Sequence, residues 1–199
     1  QPESVLLYSG GLDSLGGAVR ESIVQKRRVV LVNHRSTSKH NRRHRELQDL
    51  LSFHAREFRP LHVNVRVYKD SDLNREHTQR TRSFLYASLG ATVAQILGLR
   101  HASFYENGVV SLNLPFAAQV TGSHATRTTH PRVLHGFEQL FSLVAAQPFA
   151  IPNPFLWHTK AAVVREIMDA GCAPLIGVSC SCAHTWQTTI EHPHCGACS

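Results

Sequence analysis

The residues best suited to chemistry stand near the start of the chain, as Ser9-Gly10-Gly11-Leu12-Asp13-Ser14. Two adjacent glycines let a backbone turn sharply and bring its N–H groups close to an anion, because no Cβ intervenes. A helix starting there adds unpaired N–H groups and the positive end of its dipole. The chemistry such a turn suits is phosphate binding, with Ser9 and Ser14 as hydroxyl donors and Gly10, Gly11 and Leu12 as backbone donors. Asp13 is out of place beside phosphate alone; it fits if it holds a magnesium ion or caps the helix. No Gly-Lys-Ser/Thr follows and no GxGxxG is present, so neither the Walker loop nor the dinucleotide fingerprint accounts for the pattern. The competing reading is a plain strand-to-helix turn with a serine cap.

A second chemistry lies at the other end. The five cysteines are Cys172, Cys180, Cys182, Cys195 and Cys198, and four of them crowd the last twenty residues. No signal peptide is evident, so metal binding is a better expectation than a disulfide framework. Cys195-x-x-Cys198 can supply two ligands of a tetrahedral structural zinc, and Cys180 a third. Cys182, His184, His192 and His194 are alternatives for the fourth, and free thiols in a tail are the plainer reading. The chain stops at Ser199 inside this run, so a further ligand is expected beyond it.

Other candidates are single residues. Lys160 stands where a helix is expected to start and could reach phosphate oxygens as a point charge. Arg82 could meet a phosphate or an acidic substrate. Glu106 and Asn107 fall at the carboxyl end of an expected strand, where ligands of open α/β sheets bind. Arg127 and His130 sit in a long Thr-rich loop of the kind that often carries function. Lys160 and Arg82 each also have a bland reading as a solvated surface group, and Trp157 and Trp186 are read as core packing before purine stacking.

These residues need elements to position them. The runs 4–8, 27–34, 61–68, 101–107 and 173–179 read as strands, the central ones apolar enough for burial on both faces. Helices are expected over 14–25, 39–59, 81–97, 132–147 and 158–171, the last with Gly171 as its C-terminal stop. Residues 109–131 read as a long loop and 149–155 as an extended link. Strands alternating with helices imply an α/β fold with an open parallel sheet and helices on both faces. One domain over 1–199 is expected, with 179–199 as its cysteine-rich tail. No apolar run is long enough for a bilayer span, so a soluble cytoplasmic protein is expected. The net charge of +7 is concentrated in the helix 39–59. Nucleic-acid binding would use such a patch, although a solvated helix face explains it as well.

SGGxDS after a first strand resembles the PP-loop ATP pyrophosphatases, a family that includes NAD synthetase, GMP synthetase, tRNA thiolation enzymes and 7-cyano-7-deazaguanine synthase. NPFLWHTKAAVVREIMDAGC at 153–172, then Ser179-Cys180 and Cys195-Gly196-x-Cys198, resemble the 7-cyano-7-deazaguanine synthase (QueC-like) branch. The resemblance implies an adenine nucleotide alpha-hydrolase-like fold and ATP as substrate, with Mg2+ at the loop. It also implies Zn2+ held by Cys180, Cys195, Cys198 and a cysteine three residues past Cys198. Two departures stand out. The segment 106–131 is longer than in that branch, and Arg82-Ser83 replaces its Arg-Asn. The branch also has members associated with bacterial antiphage defence, for which a protein partner is expected, and its members are often homodimers.

The implied reaction is adenylation of a carboxylate, a 7-deazaguanine acid, followed by attack of ammonia or another amine donor. Asp13, Ser14 and Lys160 are its expected catalytic residues, and Arg82, Glu106, Asn107 and Arg127 its substrate contacts. The alternatives are sulfur transfer to tRNA, and a non-enzymatic zinc module that binds nucleic acid or a protein partner.

Overall fold

Runs of Val and Leu form the centre of the sheet, because strands covered on both faces need no polar alternation. A computed structural model describes residues 1–35, 41–67, 81–112 and 129–179. In it Ser4–Leu7 forms β1, Val29–His34 β2 and Leu61–Val65 β3. All are parallel, in the order β1-β2-β3, with Leu6 opposite Leu31 and Leu31 opposite His62. On the other side of β1, Ser103 bonds to the Val5 carbonyl at 2.8 Å and accepts from the Leu7 amide at 3.0 Å. His101 pairs in the same sense with Ala150. The chain therefore runs outward from β1 to β3 and then returns to the opposite side of β1.

Seven α-helices join these segments among the described residues: α1 (Leu12–Val19), α2 (Asn41–Ala55), α3 (Arg82–Ile96), α4 (Gly108–Leu112), α5 (Pro131–Ala145), α6 (Lys160–Asp169) and α7 (Ala173–Val178). A π-helical stretch, Arg20–Val24, prolongs α1. The two-residue period of the strands sorts the core into two layers. Leu6, Tyr8, Val29 and Leu31 pack with Leu15 of α1, Leu47 and Leu51 of α2, Val163 and Ile167 of α6, and Leu175 of α7. Val5, Leu7, Val30 and Val32 pack with Ala87 and Ala91 of α3 and with Leu134 and Phe141 of α5. The fold is α/β, a parallel sheet with helices on both faces.

Several expectations are corrected. The run 173–179 is not a strand but α7, packed on α2 and α6. A short apolar run carries no period to separate strand from helix. Pro174 sits in the first turn, where a helix tolerates it and a central strand does not. Residues 101–107 pair only through isolated bridges. There the Asn153 side chain binds both the N–H and the C=O of Glu106, at 3.0 and 2.8 Å, where a ladder would continue. The long loop opens with α4. Trp157 is not core; it is 84% exposed. Gly171 does end α6, with φ +72°. No helix among the described residues is long and apolar enough to cross a membrane.

Gly17 marks the closest packing of α1. A Cβ there would stand 2.2 Å from the Tyr105 ring. The Tyr105 hydroxyl donates to Glu21 Oε1 at 2.5 Å, which holds the ring in place. Gly17→Ala is expected to lower stability by about 1–3 kcal/mol through overpacking, despite its gain in helix propensity. A lower urea midpoint at unchanged slope checks this.

Candidate functional site

The return of the chain to the far side of β1 makes a topological switch point at the carboxyl ends of β1 and of the segment beside it. Ligands of open α/β sheets bind at such a switch point. Ser9–Ser14 follows the carboxyl end of β1, and Glu106–Asn107 follows the segment bridged to it.

The turn is shaped by its own polar groups. Gly10 has φ +78°, a left-handed conformation that favours glycine. Gly11 is extended and caps α1, and its carbonyl accepts the first helical bond from Leu15 at 2.9 Å. The Ser14 hydroxyl donates to the same carbonyl at 2.9 Å and lies 3.2 Å from the Ser9 hydroxyl. The Ser9 amide donates to Ser14 Oγ at 3.3 Å. The two serines thus brace the loop itself. A Cβ on Gly10 would come within 2.4 Å of the His44 ring, so α2 leans directly on the turn.

Asp13 does not cap α1, because Gly11 holds that position. Its Oδ2 accepts from Asn107 Nδ2 at 2.9 Å and lies 3.9 Å from Lys160 Nζ. Its Oδ1 is buried and has no partner among the described residues. A carboxylate with one oxygen held and the other unsatisfied suits a hard cation such as magnesium. Three distant stretches of sequence, at 13, 107 and 160, therefore meet at one carboxylate.

The supports of Asn107 and Lys160 are specific. Arg20 grips Glu166 of α6 with two bonds, of 2.5 and 2.8 Å, and reaches His158 Nε2 at 2.9 Å. Its guanidinium also lies over the Phe155 ring, 4.5 Å from the centroid. This fixes α6, and with it Lys160, against α1. Thr159 caps α6 by accepting from the Ala162 amide at 3.2 Å. The Gly108 amide donates to the His158 carbonyl at 2.9 Å. A Cβ on Gly108 would stand 1.9 Å from the Leu156 carbonyl oxygen, so only glycine permits this approach.

Beside Asn107, the Glu106 carboxylate accepts from the Thr129 hydroxyl through Oε2. Burial and the neighbouring Asp13 charge push its pKa up to about 7, against the opposing pull of Lys160 and Arg82. Arg82 opens α3, with its guanidinium 5.7 Å from the Tyr86 ring centroid. It acts on Glu106 and on His34 through charge: burial first, then Arg82, pulls the His34 pKa down. His130 is a helix cap, its Nδ1 accepting from the Arg132 amide at 3.2 Å. Arg127 and the expected zinc ligands Cys180, Cys195 and Cys198 lie outside the described residues, as do Cys182, His184, Trp186, His192 and His194. Among the described residues no group of His, Cys, Asp and Glu is arranged to hold a metal ion by itself.

Sequence reasoning missed His44, Thr129 and Asn153. His44 had a signal: it precedes Leu47 and Leu51 by three and seven residues, which places it on the buried face of α2. No family model matches this chain, and no curated protein matches it.

The raised Glu106 pKa has a consequence for stability. The folded state keeps a proton that the unfolded chain releases near pH 4.5, so stability falls as pH rises from about 4.5 to about 7. Glu106→Gln cannot ionise and is expected to lose less over that window. Melting curves of both proteins across it check this, and parallel pH dependences would contradict it.

Proposed function

We propose that the chain is an ATP-dependent ligase of the PP-loop, 7-cyano-7-deazaguanine synthase-like kind, which adenylates a 7-deazaguanine acid for attack by ammonia or an amine. The observation that supports this most is the Ser9–Ser14 turn, with its left-handed Gly10, set at the switch point beside an Asp13 carboxylate met by Asn107 and Lys160.

On this reading the backbone of Gly10–Ser14 holds the ATP phosphates at the start of α1. The substrate carboxylate attacks the α-phosphorus, pyrophosphate leaves and an acyl adenylate remains. Lys160 lends a positive charge to the leaving group, and the unsatisfied Asp13 oxygen is the ligand offered to magnesium. Magnesium, when bound, supplies neutralisation of phosphate charge. Positioning and electrostatics carry the catalysis, and no side-chain nucleophile is required. Arg82, with Arg127 in the long segment, is proposed to meet the acid. Zinc at Cys180, Cys195 and Cys198 is proposed on their spacing alone. A cytoplasmic homodimer belongs to the same proposal.

The tRNA thiolation alternative needs a reactive thiol. Cys172, the cysteine among the described residues, is buried, and burial pushes its thiol pKa up. Cys172 is therefore not that thiol; Cys180, Cys182, Cys195 and Cys198 lie outside the described residues.

The test is pyrophosphate release from ATP and magnesium with 7-carboxy-7-deazaguanine. The expected outcome is release that depends on the acid, reduced about 100-fold or more by Asp13→Ala and less by Lys160→Ala. Full activity in Asp13→Ala would contradict the reading.

A further inference from the structure

The edge of the sheet opposite the Gly10 turn carries charge that the adenylation reading does not use. The parallel strands start there, and their register sets Val30 beside Leu61. Two residues before each stand Arg28 and Arg59, at the amino ends of neighbouring strands about 4.8 Å apart. Both are exposed, and neither has an ion pair among the described residues. The nearby Glu3 carboxylate is engaged by the Arg28 amide at 2.9 Å. Lys26 and Arg56, also exposed, hold φ +54° and +51°. Glycine takes that conformation without strain, as Gly98 and Gly171 do beyond α3 and α6. A cation suits the dipole at a helix C-terminus. That accounts for one charge at each helix end, and not for the arginines beside them.

Next to these cations lies a groove of about 1060 Å³, lined by Phe53, His54, Arg56, Glu57, Arg59 and Ala170. Leu47 and Leu51 of α2 face the core, so Phe53 points away from it and is 75% exposed. Its ring meets His54 edge-on, with centroids 5.7 Å apart. Arg59 Nε donates to the Arg56 carbonyl at 3.0 Å, which ties the two arginines together. The Glu57 carboxylate has no hydrogen bond or ion pair among the described residues.

We propose that this groove binds single-stranded RNA. Lys26, Arg28, Arg56 and Arg59 neutralise backbone phosphates, and Phe53 gives a base a face to stack on. Glu57 repels a phosphate and needs a donor, which the ribose 2′-hydroxyl supplies. A duplex keeps its bases stacked on one another, and a run of acidic side chains brings no planar face to Phe53. A second copy of this chain, with net charge +7, would set arginine against arginine. The groove lies at the opposite end of the strands from Asp13, so the inference goes beyond the adenylation reading and does not rest on it.

Fluorescence anisotropy of a labelled oligouridylate of about 12 nucleotides, titrated with the whole chain at fixed magnesium, tests this. The expected result is saturable binding, with a slope of log K on log salt of about −3, the value for four phosphates of a single strand. Arg56→Ala combined with Arg59→Ala weakens binding about tenfold or more and reduces the slope to about −1.5. Phe53→Ala weakens it about fivefold or more at unchanged slope. Arg132→Ala, exposed on α5 in the other layer, stays within about twofold of wild type. Oligodeoxyuridylate of the same length binds about threefold or more weakly, and magnesium-ATP does not displace the RNA. No binding by folded wild-type protein, undiminished binding by the groove variants, or an equal loss in Arg132→Ala would overturn the proposal. So would DNA bound as tightly as RNA, displacement by magnesium-ATP, or an oligoglutamate that competes as well as unlabelled RNA. Pyrophosphate release tests the adenylation reading separately, so the two can fail independently.

Discussion

A strand that ends in the middle of a parallel sheet must hand the chain to a helix within a few residues, and here it does so through the left-handed backbone of Gly10. That conformation sets the direction in which α1 leaves the sheet. The direction in turn places Asp13 beside Asn107, Gly17 against Tyr105 and Arg20 against Glu166. His44 closes over the same glycine from α2, so the turn is confined from outside as well as by its serines.

From that constraint follows the way distant segments converge. Arg20 and the close approach at Gly108 fix the stretches around 107 and 158 to α1, and Lys160 and Asn107 arrive at one carboxylate as a result. The site is held by packing and charge-assisted hydrogen bonds between helices, which suits chemistry that works by positioning. The Glu106 carboxyl beside it is shifted toward neutrality by burial and by the Asp13 charge.

Much of this was legible in the amino-acid order because it is local. The Val- and Leu-rich runs at 4–8 and 27–34 read as buried strands and are found as β1 and β2, and the Gly-Gly turn between strand and helix announced itself. The helices expected over 39–59, 81–97 and 158–171 are found as α2, α3 and α6. What failed was non-local or aperiodic. APLIGVS has the composition of a strand, and only its packing against α2 and α6 makes it α7. HASFYEN pairs at single points because Asn153, nearly fifty residues away, takes over the backbone of Glu106. The contact of His44 with Gly10 joins two elements whose order gives no hint of touching, although the helical spacing of His44 pointed inward. Lys160 and Asn107 were chosen for their place at element ends, and their meeting at Asp13 could not be read without the fold.

The claim on which the account stands is that the Gly10 turn receives the phosphates of a nucleotide. Calorimetric titration of magnesium-ATP into the wild-type protein and into Gly10→Ala tests it most directly. The account predicts saturable binding by wild type, weakened about tenfold or more in the variant, a difference of about 1.4 kcal/mol or more. A folded wild-type protein that gives no binding signal, or a variant that binds as tightly as wild type, would contradict it.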